Sequence, residues 1–209
     1  MKNKARIPVS TKIAGFSLIG ILGVGVFWFA TGFLGNKSSL PVLGEPGHRA
    51  GAFSFINQDG KPITQKSVEN KVTVAEYFFA SCPSICPVMN KNLEEVYEKF
   101  KGNPDFVILS HTVDPERDSV PVLNAYANRF NASAPGWEFL TGSKQALYNS
   151  ATQDYLLSGG DSSSQFIHTQ YVALLDKSRR IRGFYDMTSQ VTILKLNGDI
   201  QQLLKEPVQ

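Results

Sequence analysis

Cysteine is nearly absent: the 209-residue chain has two, Cys82 and Cys86. Two thiols alone cannot complete the four-ligand tetrahedral shell of a structural zinc site. Histidine is almost as scarce, with three residues, His48, His111 and His168. A basic excess is also missing from most of the chain. The formal net charge is +3, from 21 Lys and Arg against 18 Asp and Glu, but Lys2, Lys4, Arg6 and Lys12 precede every acidic residue. Beyond those four, 17 basic residues face 18 acidic ones. A near-neutral body lacks the basic footprint of a nucleic-acid-binding domain, so no nucleic-acid partner is expected. Internal repeats and low-complexity tracts are absent too. The length then suits one domain with a good-sized core, plus an additional segment.

That segment is N-terminal. The stretch IAGFSLIGILGVGVFWFATGFL, residues 13–34, carries no charge. As a helix it would run roughly 33 Å, enough for a hydrocarbon layer of about 30 Å. The basic residues before it predict a cytoplasmic N-terminus, and Trp28 and Phe29 suit the far interface. The run is long for a signal-peptide core and no clear small-residue cleavage site follows, so an uncleaved anchor is expected. The expected organisation is a basic cytoplasmic segment over residues 1–12, a single transmembrane helix over 13–34, a Gly/Pro/Ser-rich linker over 35–50 and a globular domain over 51–209. That domain would lie on the periplasmic or extracytoplasmic side of the cytoplasmic membrane, an oxidising space.

Within the domain, AFSFIN and PITQ flank Asp59-Gly60, a hairpin signal. KVTVAEYFFA (71–80) is rich in β-branched and aromatic residues and predicts a strand. After the cysteines, Met89, Leu93, Val96, Tyr97 and Phe100 fall at helical spacing, with Gly102 as the stop. DFVILSHTV (105–113) predicts a central strand, 119–130 a helix, 137–141 a strand and 143–157 a helix. Residues 158–165 form a polar loop. Residues 171–186 predict two strands around a Lys177-Ser178 turn, and 189–205 a final helix. A hairpin, a βαβ unit, a helix, a strand pair and a last helix make a thioredoxin-like α/β order.

The cysteines fall between a strand and a helix. Pro87 suits the first helical position, and Cys86 beside it would then meet the helix dipole, which favours its thiolate. Three residues separate the pair, where thioredoxins use two. Two thiolates with one imidazole form a good set for copper, since soft sulfur selects Cu(I) and imidazole also suits Cu(II). Three histidines compete for that place. His48 reads as a solvated tether residue, His111 as a buried strand-end residue or an additional ligand, and His168 as a loop-borne side chain free to reach a metal. Met89 shares a helical face with Leu93 and Val96, so core packing is the better reading. An inert disulfide remains open, although so short a loop constrains the unfolded chain little. A thiol peroxidase would want a dedicated Thr, which FFASCPSIC does not supply.

SCPSICPVMNKNL, TVDPERDSV and FIHTQYVALLDKSRRIRGFY, in this order, resemble the Sco/SenC family over roughly residues 50–205. That resemblance implies a membrane-anchored, thioredoxin-like copper protein of cytochrome c oxidase assembly. It implies one copper ion, Cu(I) or Cu(II), bound by Cys82, Cys86 and His168. It also implies a copper donor and a client such as oxidase subunit II with its dinuclear copper centre. Asp114 and Arg117, in the DPERD stretch, become candidates for supporting the copper loop or guiding docking, with capping of the next helix by Asp118 or Ser119 as the simpler role. The expected function is that of a metallochaperone rather than an enzyme. The alternative is a thiol–disulfide oxidoreductase that reduces client cysteines.

Overall fold

The computed structural model describes residues 39–157 and 169–208. The anchor expected over residues 13–34 and His168 lie outside the described residues. Among the described residues, no helix is long and apolar enough to cross a membrane. The same residues hold seven strands: β1 (Ser54–Asn57), β2 (Pro62–Thr64), β3 (Val72–Phe78), β4 (Phe106–Thr112), β5 (Trp137–Thr141), β6 (Tyr171–Leu175) and β7 (Ile181–Asp186). They form one sheet in the order β2-β1-β5-β4-β3-β6-β7. The helices are α1 (Ile85–Phe100), α2 (Val120–Asn128), α3 (Lys144–Asn149) and α4 (Gln190–Lys205).

β3 and β4 are central and pair in parallel, from Val72 opposite Phe106 to Phe78 opposite Thr112. Both are buried along their whole length, which explains their continuous apolar sequences. Alternation sends Val72, Val74 and Phe78 into the larger core, shared with Met89, Leu93 and Val96 of α1, Leu123 and Tyr126 of α2, and Ile193, Leu196 and Ile200 of α4. Ala75 and Tyr77 point to the other face, where Tyr155, Ala173 and Ile181 pack around them. Two glycines stop elements as their sequence positions suggest. Gly60 turns the β1–β2 hairpin at φ +73°, and Gly102 follows α1 at φ +81°, in the left-handed region that costs glycine least.

Two expectations change. The compact unit begins at Leu40, so the second half of the expected linker belongs to the domain. Leu43 forms a bridge with Ile181, and Ala50 is buried. Arg182 is buried and donates to the Leu40 and Pro41 carbonyls while pairing with Asp176 and Glu206. A buried guanidinium is tolerable because these partners satisfy it. The helix expected over 143–157 is α only to Asn149, and the backbone widens to a π turn over Ser150–Asp154.

Candidate metal and thiol site

Cys82 sits in the turn that leaves β3, and Cys86 in the first turn of α1. The Cys82 amide donates to the Phe79 carbonyl at 3.1 Å, which curls the chain back over the helix start. Ser84 occupies the N-cap position but makes no side-chain capping bond. The N–H groups left open at a helix start need another acceptor, and the Cys82 sulfur supplies one. The Cys86 amide approaches it at 3.5 Å, and the amides of Ser84 and Ile85 also point to it. Pro87 stands at the third helical position rather than the first, where its missing N–H removes one donor that would otherwise need a partner.

This arrangement divides the two thiols. Burial pushes the Cys82 thiol up, but the amides of Ser84, Cys86 and Ile85 together with the Cys86 thiol outweigh it, so its net shift is downward. Cys86 is pushed up to about 12, first by burial and then by Cys82 and Glu76, against one backbone hydrogen bond from Phe79. The sequence reading assigned the stabilised thiolate to Cys86. The helix N-terminus does favour an anion, but its amides are used on Cys82, and Cys86 lies deeper, 4% exposed against 8% for Cys82. Both cysteines are free.

A cavity of about 210 Å3 opens beside Cys86. Phe79 and Ile85 line it from the cysteine side, and Thr169 and Gln170 from the segment that follows His168 in the chain. Among the described residues, no group of three His, Cys, Asp or Glu side chains is arranged to hold a metal. Cys82 and Cys86 are thus brought together, and His168 is not among the described residues.

Below the cysteines lies a polar network that the sequence did not signal. Glu76 on β3 is fully buried and accepts from Ser110, which in turn accepts from the Trp137 indole at 2.8 Å. Burial raises the Glu76 carboxyl to about 7, and the Ser110 hydrogen bond opposes that only in part. Asn90, buried on α1, donates to the Cys86 carbonyl one turn earlier at 3.0 Å and to the Tyr126 hydroxyl of α2 at 3.5 Å. Met89 is fully buried with Leu93 and Val96, as core packing requires.

The other candidates fall in different places. His111 is buried on the opposite face of the sheet, stacked on Tyr77 with ring centroids 4.8 Å apart. Its Nδ1 lies 3.2 Å from the Glu76 carbonyl, and burial lowers its pKa to about 4. His48 is not a solvated tether residue: its Nε2 meets the Asp154 carbonyl at 2.9 Å. Asp114 and Arg117 pair with each other at 3.4 Å, with the Arg117 side chain 80% exposed. Their neighbour Asp118 is the residue that reaches the cysteine turn, accepting from the Ala80 amide at 3.1 Å.

Comparison with known proteins agrees with this geometry. The SCO1/SenC family profile matches residues 43–205. The SCO1 protein homolog of Bacillus subtilis (strain 168) is 38% identical over 95 residues, covering 45% of this chain and 49% of that protein, so the match spans about half of the relative's length. Among solved structures, BsSco, described as a member of the Sco family of cytochrome c oxidase assembly proteins, is 25% identical. It superposes with a TM-score of 0.69 over 81% of this chain and 100% of its own. Copper-bound ScoI of Arabidopsis thaliana is 28% identical, with a TM-score of 0.57 over 73% of this chain and 98% of that one. A thioredoxin-like domain, a thiol pair at the start of its first helix and a family match across nearly all of that domain lead to one conclusion: the chain belongs to the SCO1/SenC family.

Proposed function

We propose that this protein is a copper metallochaperone in which Cys82, Cys86 and His168 hold one copper ion as cargo and pass it to a client of cytochrome c oxidase assembly, the dinuclear copper centre of subunit II or a similar site. The observation that carries the proposal is the pairing of two free cysteines, of which Cys86 lines a cavity whose other wall is Thr169 and Gln170, the residues that follow His168 in the chain. Soft thiolates favour Cu(I), and an imidazole extends the set to Cu(II). A copper-bound structural relative and another described by its role in oxidase assembly support the same reading. Residues 13–34 anchor the protein in the cytoplasmic membrane with the domain outside, where a copper donor loads it.

The test is substitution of histidine. His168→Ala leaves both thiolates, so Cu(I) binding weakens but survives, whereas the Cu(II) complex loses its nitrogen ligand and its spectrum changes or decays. His111→Ala is the control: it costs about 2 kcal/mol of stability as a buried truncation and leaves the copper spectrum intact. A Cu(II) spectrum erased by His111→Ala and unchanged by His168→Ala contradicts the ligand assignment.

A second reading rests on the unequal thiols. A stabilised Cys82 thiolate attacks a client disulfide, and the buried Cys86 then resolves the mixed disulfide, which releases the reduced client. Client reduction that needs only the two cysteines, with no effect of His168→Ala on copper, would favour this oxidoreductase role.

A further inference from the structure

A carboxylate two residues before a helix reads as a helix cap. Asp118 is not one. The N-cap of α2 is Ser119, which makes no side-chain capping bond, and the Asp118 carboxylate turns the other way. It is 2% exposed. Its Oδ2 accepts from the Ala80 amide at 3.1 Å and from the Thr112 hydroxyl at 2.5 Å. Thr112 ends β4, directly opposite Phe78 in the β3–β4 register, and its hydroxyl also accepts from the Asp114 amide at 3.0 Å. The Asp114 carbonyl in turn accepts from the Asp118 amide at 2.9 Å, which closes the loop on itself. Ala80 lies inside the turn that the Cys82 amide closes onto Phe79. One buried oxygen therefore staples the turn carrying Cys82 to the end of the central strand, across 38 residues of sequence.

We propose that Asp118 is a positioning residue: it holds the Phe79–Cys82 turn so that the Cys82 sulfur stays over the amide of Cys86, in reach of closing the Cys82–Cys86 disulfide. This rests on the reading that Cys82 and Cys86 are working thiols. Burying a carboxylate costs free energy unless its hydrogen bonds repay it, and here one bond goes to the Ala80 amide of a turn outside any helix or strand and the other to Thr112 at the end of β4. Holding two reacting groups in register raises their effective concentration. A free turn would let Cys82 sample positions from which Cys86 cannot reach it.

The reaction that reads this is disulfide closure with glutathione disulfide as oxidant. The Cys82 thiolate attacks glutathione disulfide, forms a Cys82–glutathione mixed disulfide and releases one glutathione thiolate. Cys86 then loses its proton to solvent and attacks the Cys82 sulfur, forming the Cys82–Cys86 bond and expelling the second glutathione thiolate. The ratio of closed to mixed disulfide at fixed glutathione gives the effective concentration of one thiol for the other.

The experiment uses the metal-free full chain, with folding checked by circular dichroism and species counted by mass spectrometry. Asp118→Ala is expected to lower the closed-to-mixed ratio by about tenfold. Asp118→Asn keeps an acceptor oxygen at the same place and is expected to stay within about twofold of the native ratio. A folded Asp118→Ala protein with the native ratio overturns the proposal, as does an Asn variant that is as impaired as the Ala variant. If Asp118→Ala does not fold, Asp118→Asn and hydrogen exchange of the Ala80 amide in the native protein decide. That amide is expected to be protected, and exchange at the rate of an open loop overturns the proposal. Copper stoichiometry of the native preparation, measured separately, shows whether the chaperone reading fails on its own.

Discussion

The Cys86 amide nitrogen lies 3.5 Å from the Cys82 sulfur, in the place where a helix usually receives a side-chain oxygen cap. A sulfur in this position is both a cap and a reactive centre. The amides that complete the helix also favour the thiolate, so a metal or a client sulfur approaching Cys82 meets the thiol of the pair whose pKa is lowered.

The first prediction concerns the order of reaction. At neutral pH a limiting amount of iodoacetamide should label Cys82 well before Cys86, because Cys82 is shifted toward its thiolate while burial holds Cys86 as a thiol up to about pH 12. Peptide mapping by mass spectrometry reads the order. Faster labelling of Cys86 would contradict the assignment of roles.

The second prediction concerns stability against pH. Glu76 is raised to about 7 from 4.5, so its contribution is fully present below pH 4.5 and is lost as pH rises through 7. His111 is lowered to about 4 from 6.5, so its contribution is present above pH 6.5 and is lost as pH falls through 4. Each difference corresponds to about 3 kcal/mol. Between pH 4.5 and 6.5 the two slopes oppose each other. Glu76→Gln should remove one slope, so that stability by urea unfolding rises with pH across that window by about 2 kcal/mol more than in the native protein. An unchanged difference between the two proteins at every pH would rule out Glu76 as the titrating group.

These details separate what the sequence made legible from what it did not. The strands and helices were readable because β3 and β4 are continuous β-branched and aromatic runs and α1 repeats its apolar residues at helical spacing. The pairing of Cys82 with Cys86 was readable for the same reason: a strand and a helix fix both ends of their loop. The docking of residues 40–50 was not, because Leu40 and Pro41 bind Arg182 through backbone carbonyls, which leave no side-chain pattern. Nor was the role of Asp118, since its partner Ala80 is 38 residues away. The thiolate was assigned to Cys86 because helix position is visible in sequence while depth of burial is not.

The third prediction concerns topology. A reporter enzyme fused after Gln209 should be active only outside the cytoplasm, and the mature protein should retain residues 1–34 and fractionate with membranes. A soluble product starting near residue 35 would replace the anchor with a cleaved signal.

The most direct test of the central claim is a copper titration of the full chain in its reduced and oxidised forms. The reduced protein should bind about one copper per chain, and its Cu(II) form should show a thiolate-to-copper charge-transfer band, as the proposed ligation by both sulfurs requires. Prior closure of the Cys82–Cys86 disulfide should abolish binding, because the proposed ligands are the thiolates. Equal binding by the two forms, without a charge-transfer band, would contradict the copper-chaperone account.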